Sequence, residues 1–209
     1  MSLEILNTTA ALGTFLVITA TAIAALIQLR HARSSNQIAA LNELRASQQT
    51  DHFIKALHCV YSELPLRIHD PEFRYQLTHR NERTPEFNEV LSKVEAVGDS
   101  YENFGVLAKA ELVDRRLLLD FYTAVVLDAW AALIDTTAIL RAHYGSSIWE
   151  NFEYLAVLAQ DWNAARPNGS YPRGLRRIEV PNRWREADEQ YALGRRAVEA
   201  GPAVESNAR

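Results

Sequence analysis

Two groups of side chains in this sequence have the chemistry to do something specific. The first is a set of carboxylates: Glu95, Asp99 and Glu102 recur at steps of four and three, and Asp120, Asp128 and Asp135 follow at steps of eight and seven. On helices each set lines one face. Two such faces turned toward each other would offer oxygen ligands to a hard divalent cation, with Glu95, Asp99, Glu102, Asp120 and Asp128 as the candidates of a membrane-tethered enzyme. Bundles that hold metals this way also use a Glu-x-x-His pair, and none occurs. The plainer expectation is two solvated helix faces with no cofactor and no metal.

The second group is basic. Arg166, Arg173, Arg176, Arg177, Arg183 and Arg185, with Trp184 among them, face a single acid, Glu179, in a stretch broken by three prolines and two glycines. Residues 86–161 carry 13 acids against five lysines and arginines, so the nearest partner for these arginines is the chain's own acidic body, with Tyr171 and Trp184 as anchors. Anionic lipid headgroups are the alternative, each basic side chain near such a surface contributing about 1 kcal/mol. Nucleic acid is not expected, because the net charge is −4 and no RNA-binding module accompanies the arginines.

Nucleophile chemistry has no foothold. There is no Gly-x-Ser-x-Gly elbow, no phosphate-binding glycine loop and no His-Glu-x-x-His. Cys59 is the one cysteine, set beside Val60 on an apolar helical face, and reads as core. His52 and His58 are six residues apart and point in different directions on a helix. Nothing here asserts an enzyme.

The elements that position these groups begin with Ile5 to Leu29, which contains no charged residue. About 20 apolar residues cross a hydrocarbon core roughly 30 Å thick, and the threonines inside the run can bond back to their own helix. Arg30, His31 and Arg33 flank its far end, against Glu4 before it, which places the N-terminus outside and the rest in the cytoplasm. With no glycine or proline from Ser34 to Tyr61, the helix is expected to run on as a stalk to Tyr61, and Pro65 to end or kink it.

Asp70-Pro71-Glu72 and Thr84-Pro85-Glu86 are helix starts, with an oxygen cap, a proline at the first position and an acid in the first turn. Phe87, Val90, Leu91, Val94, Val97, Tyr101, Phe104 and Ala108 define an amphipathic helix. Asp114 caps a helix to about Tyr144 whose apolar residues cover most of its circumference, the pattern of a central bundle helix; its three aspartates argue against a second span. Ser147-Ile148-Trp149-Glu150 reads as a capping box for a helix to Trp162.

The runs Tyr101-Glu102-Asn103-Phe104-Gly105-Val106-Leu107, Leu112-Val113-Asp114, Trp130 and Trp149-Glu150-Asn151-Phe152-Glu153-Tyr154-Leu155 resemble an uncharacterised bacterial family catalogued as domain of unknown function 4760. The resemblance covers roughly Ala20 to Trp162 and implies one N-terminal membrane span and a helical cytoplasmic domain. It implies no activity and no catalytic residue.

The expected protein is all-α: a short extracytoplasmic N-terminus (1–4), a single transmembrane helix (5–29), a helical stalk (30–52), a cytoplasmic bundle of about four main helices (53–165), an Arg-rich loop (166–185), and a C-terminal helix with a frayed tail (186–209). Its expected place is a bacterial inner membrane. Its expected role is an interaction or scaffold module, self-associating or docking a protein partner, with the metal-site enzyme and an anionic-lipid sensor as alternatives.

Overall fold

Nothing in the opening apolar run breaks a helix, and in the computed structural model, which describes residues 3–199, it forms one helix, α1 (Leu3–Gln48). The hydroxyls of Thr14, Thr19 and Thr21 donate to the carbonyls of Ala10, Phe15 and Val17 at 2.8–2.9 Å, so these side chains need no other partner. The Ala10–Gln48 part of α1 is long and apolar enough to cross a membrane, with a mean hydropathy of 2.2 in its best window, none of which is buried in the protein.

The expected unbroken helix to Tyr61 is not found, because α1 stops at Gln48. The stop is made without glycine or proline. Thr50 takes an extended backbone, its hydroxyl donates to the Ser47 carbonyl at 3.1 Å, and it accepts the Phe53 amide at 3.3 Å. That cap closes α1 and opens α2 (Asp51–His58). The bend packs Ala40, Leu41 and buried Leu44 against the core, so the core begins ahead of Phe53, where the sequence places it.

Pro65 kinks the chain without ending the helix. It has no amide hydrogen to reach back one turn, and the residues before it widen into a π turn, Cys59–Glu63, in which Leu64 donates to the carbonyl of Cys59. The helix resumes as α3 (Leu64–Arg67), with Cys59, Val60 and Leu64 all buried. Burial raises the pKa of the Cys59 thiol, and nearby Glu63 adds to the effect, which keeps it a packing residue.

Asp70 caps α4 (Pro71–Thr78) through the Glu72 amide, and Thr84 caps α5 (Pro85–Lys109) through the Phe87 amide, as their sequences predict. Asp114 caps α6 (Arg115–Tyr144), and α7 (Glu150–Ala164) completes the bundle. Helices α2, α6 and α7 and the π turn all pack on α5. Helices α4, α5 and α7 and the same turn pack on α6 in turn, so α5 and α6 share the centre of the bundle. Helix α6 buries Leu118, Val126, Ala129 and Leu133 but leaves Leu117, Phe121, Val125 and Ile134 exposed. It too is long and apolar enough to cross a membrane, yet its buried face is part of the core.

The chain divides into two units, residues 1–170 and 171–209. The second contains α8 (Arg185–Glu199). No strand occurs among the described residues. The frayed tail expected at Gly201–Arg209 and the first two residues lie outside the described residues.

Candidate functional site

Two of the runs that carry the family resemblance, 101–107 and 149–155, meet along the seam between α5 and α7. Gly98 and Gly105 lie seven residues apart on α5, which is two helical turns on one face. At Gly98 an added Cβ would overlap the Trp149 indole, and at Gly105 it would overlap the backbone carbonyl of Asn151. Only glycine admits α7 this close.

Between the glycines stand two acids with assigned work. Asp99 accepts the Trp149 indole N–H at 2.9 Å, and Glu102 accepts the Phe152 amide at 2.8 Å and the Asn151 side-chain amide at 2.7 Å. The expected capping box is not formed: Ser147 makes no side-chain cap, and the cap position falls on Trp149 in a left-handed conformation, φ 50° and ψ 41°. The Phe152 amide in the first turn of α7 is served instead by a carboxylate from α5. The local motif loses because Glu102 brings a full negative charge to the positive end of α7.

A left-handed tryptophan costs of order 1–3 kcal/mol and persists only when its surroundings over-determine it. Three contacts do so here: the Gly98 surface, the Asp99 carboxylate and Arg141. The Arg141 guanidinium donates to the Ile148 carbonyl at 2.8 Å, the Trp149 carbonyl at 3.2 Å and Glu153 at 2.6 Å, and lies over the Trp130 ring. The turn between α6 and α7 is thus tied to both helices.

The carboxylates of the metal reading do not converge. Asp99 and Glu102 are occupied by α7, Asp120 and Asp128 lie on the exposed side of α6, and no group of three His, Cys, Asp or Glu that could hold a metal occurs among the described residues. Glu95 sits on α5 with its carboxyl pKa raised, chiefly by desolvation and then by Asp99, with Arg83 and Arg80 opposing. A carboxyl raised in the folded state contributes stability that is present below its unfolded pKa and lost as pH rises through the folded pKa. Glu95→Gln is therefore expected to raise the melting temperature at pH 7 and to have no effect at about pH 3, below the usual carboxylate range. A gain of equal size at both pH values in thermal melts would rule out this origin.

The sequence profile of a family described as Domain of unknown function (DUF4760) matches residues 15–162, well over half of the chain. The chain belongs to that family. No curated protein and no solved structure matches it. The DUF4760 stretch contains both sides of the glycine seam, from Gly98 and Gly105 to Trp149 and Asn151, together with Arg141. Its aromatic runs are packing signatures: Tyr101 stacks on Phe152 at 5.1 Å, and Trp130 meets Phe152 edge-on at 5.0 Å. The sequence runs contain Glu102, Gly105, Trp149 and Asn151 but do not by themselves pair them. The signal that could have done so was two glycines one heptad apart on a long amphipathic helix.

The arginines of the 166–185 stretch all lie beyond the DUF4760 match. Arg166 belongs to the first unit, where its guanidinium stacks 3.3 Å above the Trp162 ring. In the second unit Arg173, Arg176, Arg177, Arg183 and Arg185 are exposed, and so is Trp184. Several of their contacts are local. Arg177 lies over the Tyr171 ring, the Tyr171 hydroxyl donates to the Arg176 carbonyl at 3.0 Å, and Arg185 pairs with Glu189 at 2.9 Å.

Proposed function

We propose that this chain is a cytoplasmic helical interaction module, anchored by a single span in the cytoplasmic membrane, that self-associates through the outer face of α6. The observation that carries it is the exposure of Leu117 (45%), Phe121 (68%) and Val125 (41%) on a helix whose other face is core. These three stand at steps of four on one side of α6, with Ala124 between them. An aromatic ring that exposed is the kind of anchor on which interface energy concentrates.

Two further features favour a second copy as the occupant. The uncharged run of α1 ends in Arg30, His31 and Arg33, which favours holding the domain on the cytoplasmic side. The corner just before α6 also meets α1 above that flank, where Arg33 and Gln37 donate to Glu111. Anchors held parallel in one bilayer bring the same α6 face of two copies to the same height, and tethering raises their effective concentration. The Ala20/Ala24 and Thr21/Ala25 pairs permit close approach of the spans.

The test is the oligomeric state of the full-length protein, measured by dilution in detergent and in nanodiscs. The expected result is a dimer whose dissociation constant rises at least about thirtyfold for Phe121→Arg, the loss of one aromatic anchor of about 2 kcal/mol. A concentration-independent monomer in both media, or a dimer indifferent to Phe121→Arg, would reject self-association through this face.

A further inference from the structure

The corner between α5 and α6 stands where α1 leaves its uncharged run. Arg33 donates to the Glu111 carboxylate and Gln37 to the Glu111 carbonyl, both at 3.5 Å. A cleft of about 390 Å³ lies between them, lined by Leu29, Ala32, Arg33 and Asn36 of α1 and by Ala110 and Leu112 of the corner, among others. A second cleft shares Arg33 and Gln37 and is bordered by Arg115 and Arg116. Leu112, at the tip, is 56% exposed.

Depth follows from helix geometry. Leu29 is the last residue of the uncharged run, and Arg33 lies about 6 Å beyond it at 1.5 Å per residue. The polar layer on each side of a bilayer is about 5–7 Å thick. The part of the corner that meets α1 between Leu29 and Arg33 therefore lies at headgroup depth, with Gln37 about 12 Å beyond Leu29 on the water side and an exposed leucine at the tip.

Charge points the same way. Arg33, Arg115 and Arg116 stand around the corner, against Glu111 and Asp114. The Asp114 carboxylate is committed to the Arg116 and Leu117 amides as the cap of α6, and Glu111 is shared by Arg33 and Arg115. The corner is thus a basic island at the membrane end of a strongly acidic body.

We propose that this corner is a lipid-binding element: Leu112 enters the headgroup layer beside α1, and Arg33, Arg115 and Arg116 bind the phosphate of an anionic phospholipid. The inference rests on the anchoring of α1 proposed above and goes beyond it. It makes the bilayer surface a third contact that fixes the tilt of the domain, and hence the height of the α6 face.

The test uses full-length protein in nanodiscs of phosphatidylcholine alone or with 30% phosphatidylglycerol. Fluorophores are placed at Leu26→Cys, Ala32→Cys, Leu112→Cys and Val157→Cys, Cys59 being buried and protected. Quenching by spin-labelled lipid is expected to be as strong at position 112 as at 32, several-fold weaker at 157, and greater with phosphatidylglycerol. Arg115→Glu/Arg116→Glu should abolish that lipid dependence and lower enrichment of phosphatidylglycerol around the protein about fivefold or more.

Strong quenching at 26 with position 112 as open to water as 157 overturns this proposal and leaves the anchor standing. No quenching at 26 overturns the anchor, and the lipid-binding corner with it. Quenching at 112 that ignores both phosphatidylglycerol and the arginine reversals overturns the assignment of these arginines to a phosphate.

Discussion

Gly105→Ala is expected to lower the melting temperature of the protein by roughly 6–12 °C, corresponding to about 3 kcal/mol for a chain of this size. Helix propensity alone would predict the opposite sign, since alanine in a helix interior is favoured over glycine by about 1 kcal/mol. The tertiary contact decides the outcome. The new Cβ would fall on the backbone carbonyl of Asn151, and a backbone has no rotamer by which to move away. Helices α5 and α7 must then separate, pulling Glu102 from the Phe152 amide and Asp99 from the Trp149 indole. Overpacking of this kind costs about 1–3 kcal/mol or more before the lost hydrogen bonds are counted. Circular dichroism melts of the full-length protein in detergent measure the shift. Any stabilisation by Gly105→Ala would refute the close approach of the two helices.

Phe152→Ala is the second large effect, with an expected loss of about 3–5 kcal/mol. The ring is fully buried between Tyr101, stacked on one side, and Trp130, edge-on to it. Its removal leaves a cavity among large rings that cannot collapse into it. Burial holds the Tyr101 hydroxyl far above its usual pKa, and a cavity that admits water should let it ionise at lower pH. The expected record is therefore a lowered melting temperature, a red shift in tryptophan emission and an earlier alkaline absorbance change. Phe152→Leu, which keeps most of the volume, should lose less than half as much. A loss below about 1 kcal/mol for Phe152→Ala would place the aromatic cluster outside the folding core.

The positions at which sequence reading succeeded and failed separate by the range of the interactions involved. Asp70, Thr84 and Asp114 were legible as caps because each serves amides two or three residues away, and those starts are found where the residue types place them. The Thr50 stop was missed because it relies on Ser47 and Thr50 hydroxyls rather than on glycine or proline. Ser147 failed as a cap because Glu102, 45 positions earlier in the chain, competes for the same helix start. Helix α6 has apolar residues over most of its surface, but periodicity counts residue types and not neighbours, so it does not reveal that Phe121 is 68% exposed.

By itself the sequence determined the helical class, the long uncharged helix with its basic flank, three of the helix starts and the burial of Cys59. All of these depend on local composition, on spacing at the helical period, or on bonds within one turn. Only the tertiary structure decided that α5 and α6 share the centre, that Gly98 and Gly105 admit α7, and that Asp99 and Glu102 are spent on Trp149, Asn151 and Phe152 rather than offered to a metal. It also decided that the α5–α6 corner meets α1 where its uncharged run ends. Each of these depends on which faces of distant segments come within contact distance, and a one-dimensional pattern of residue types does not encode that distance.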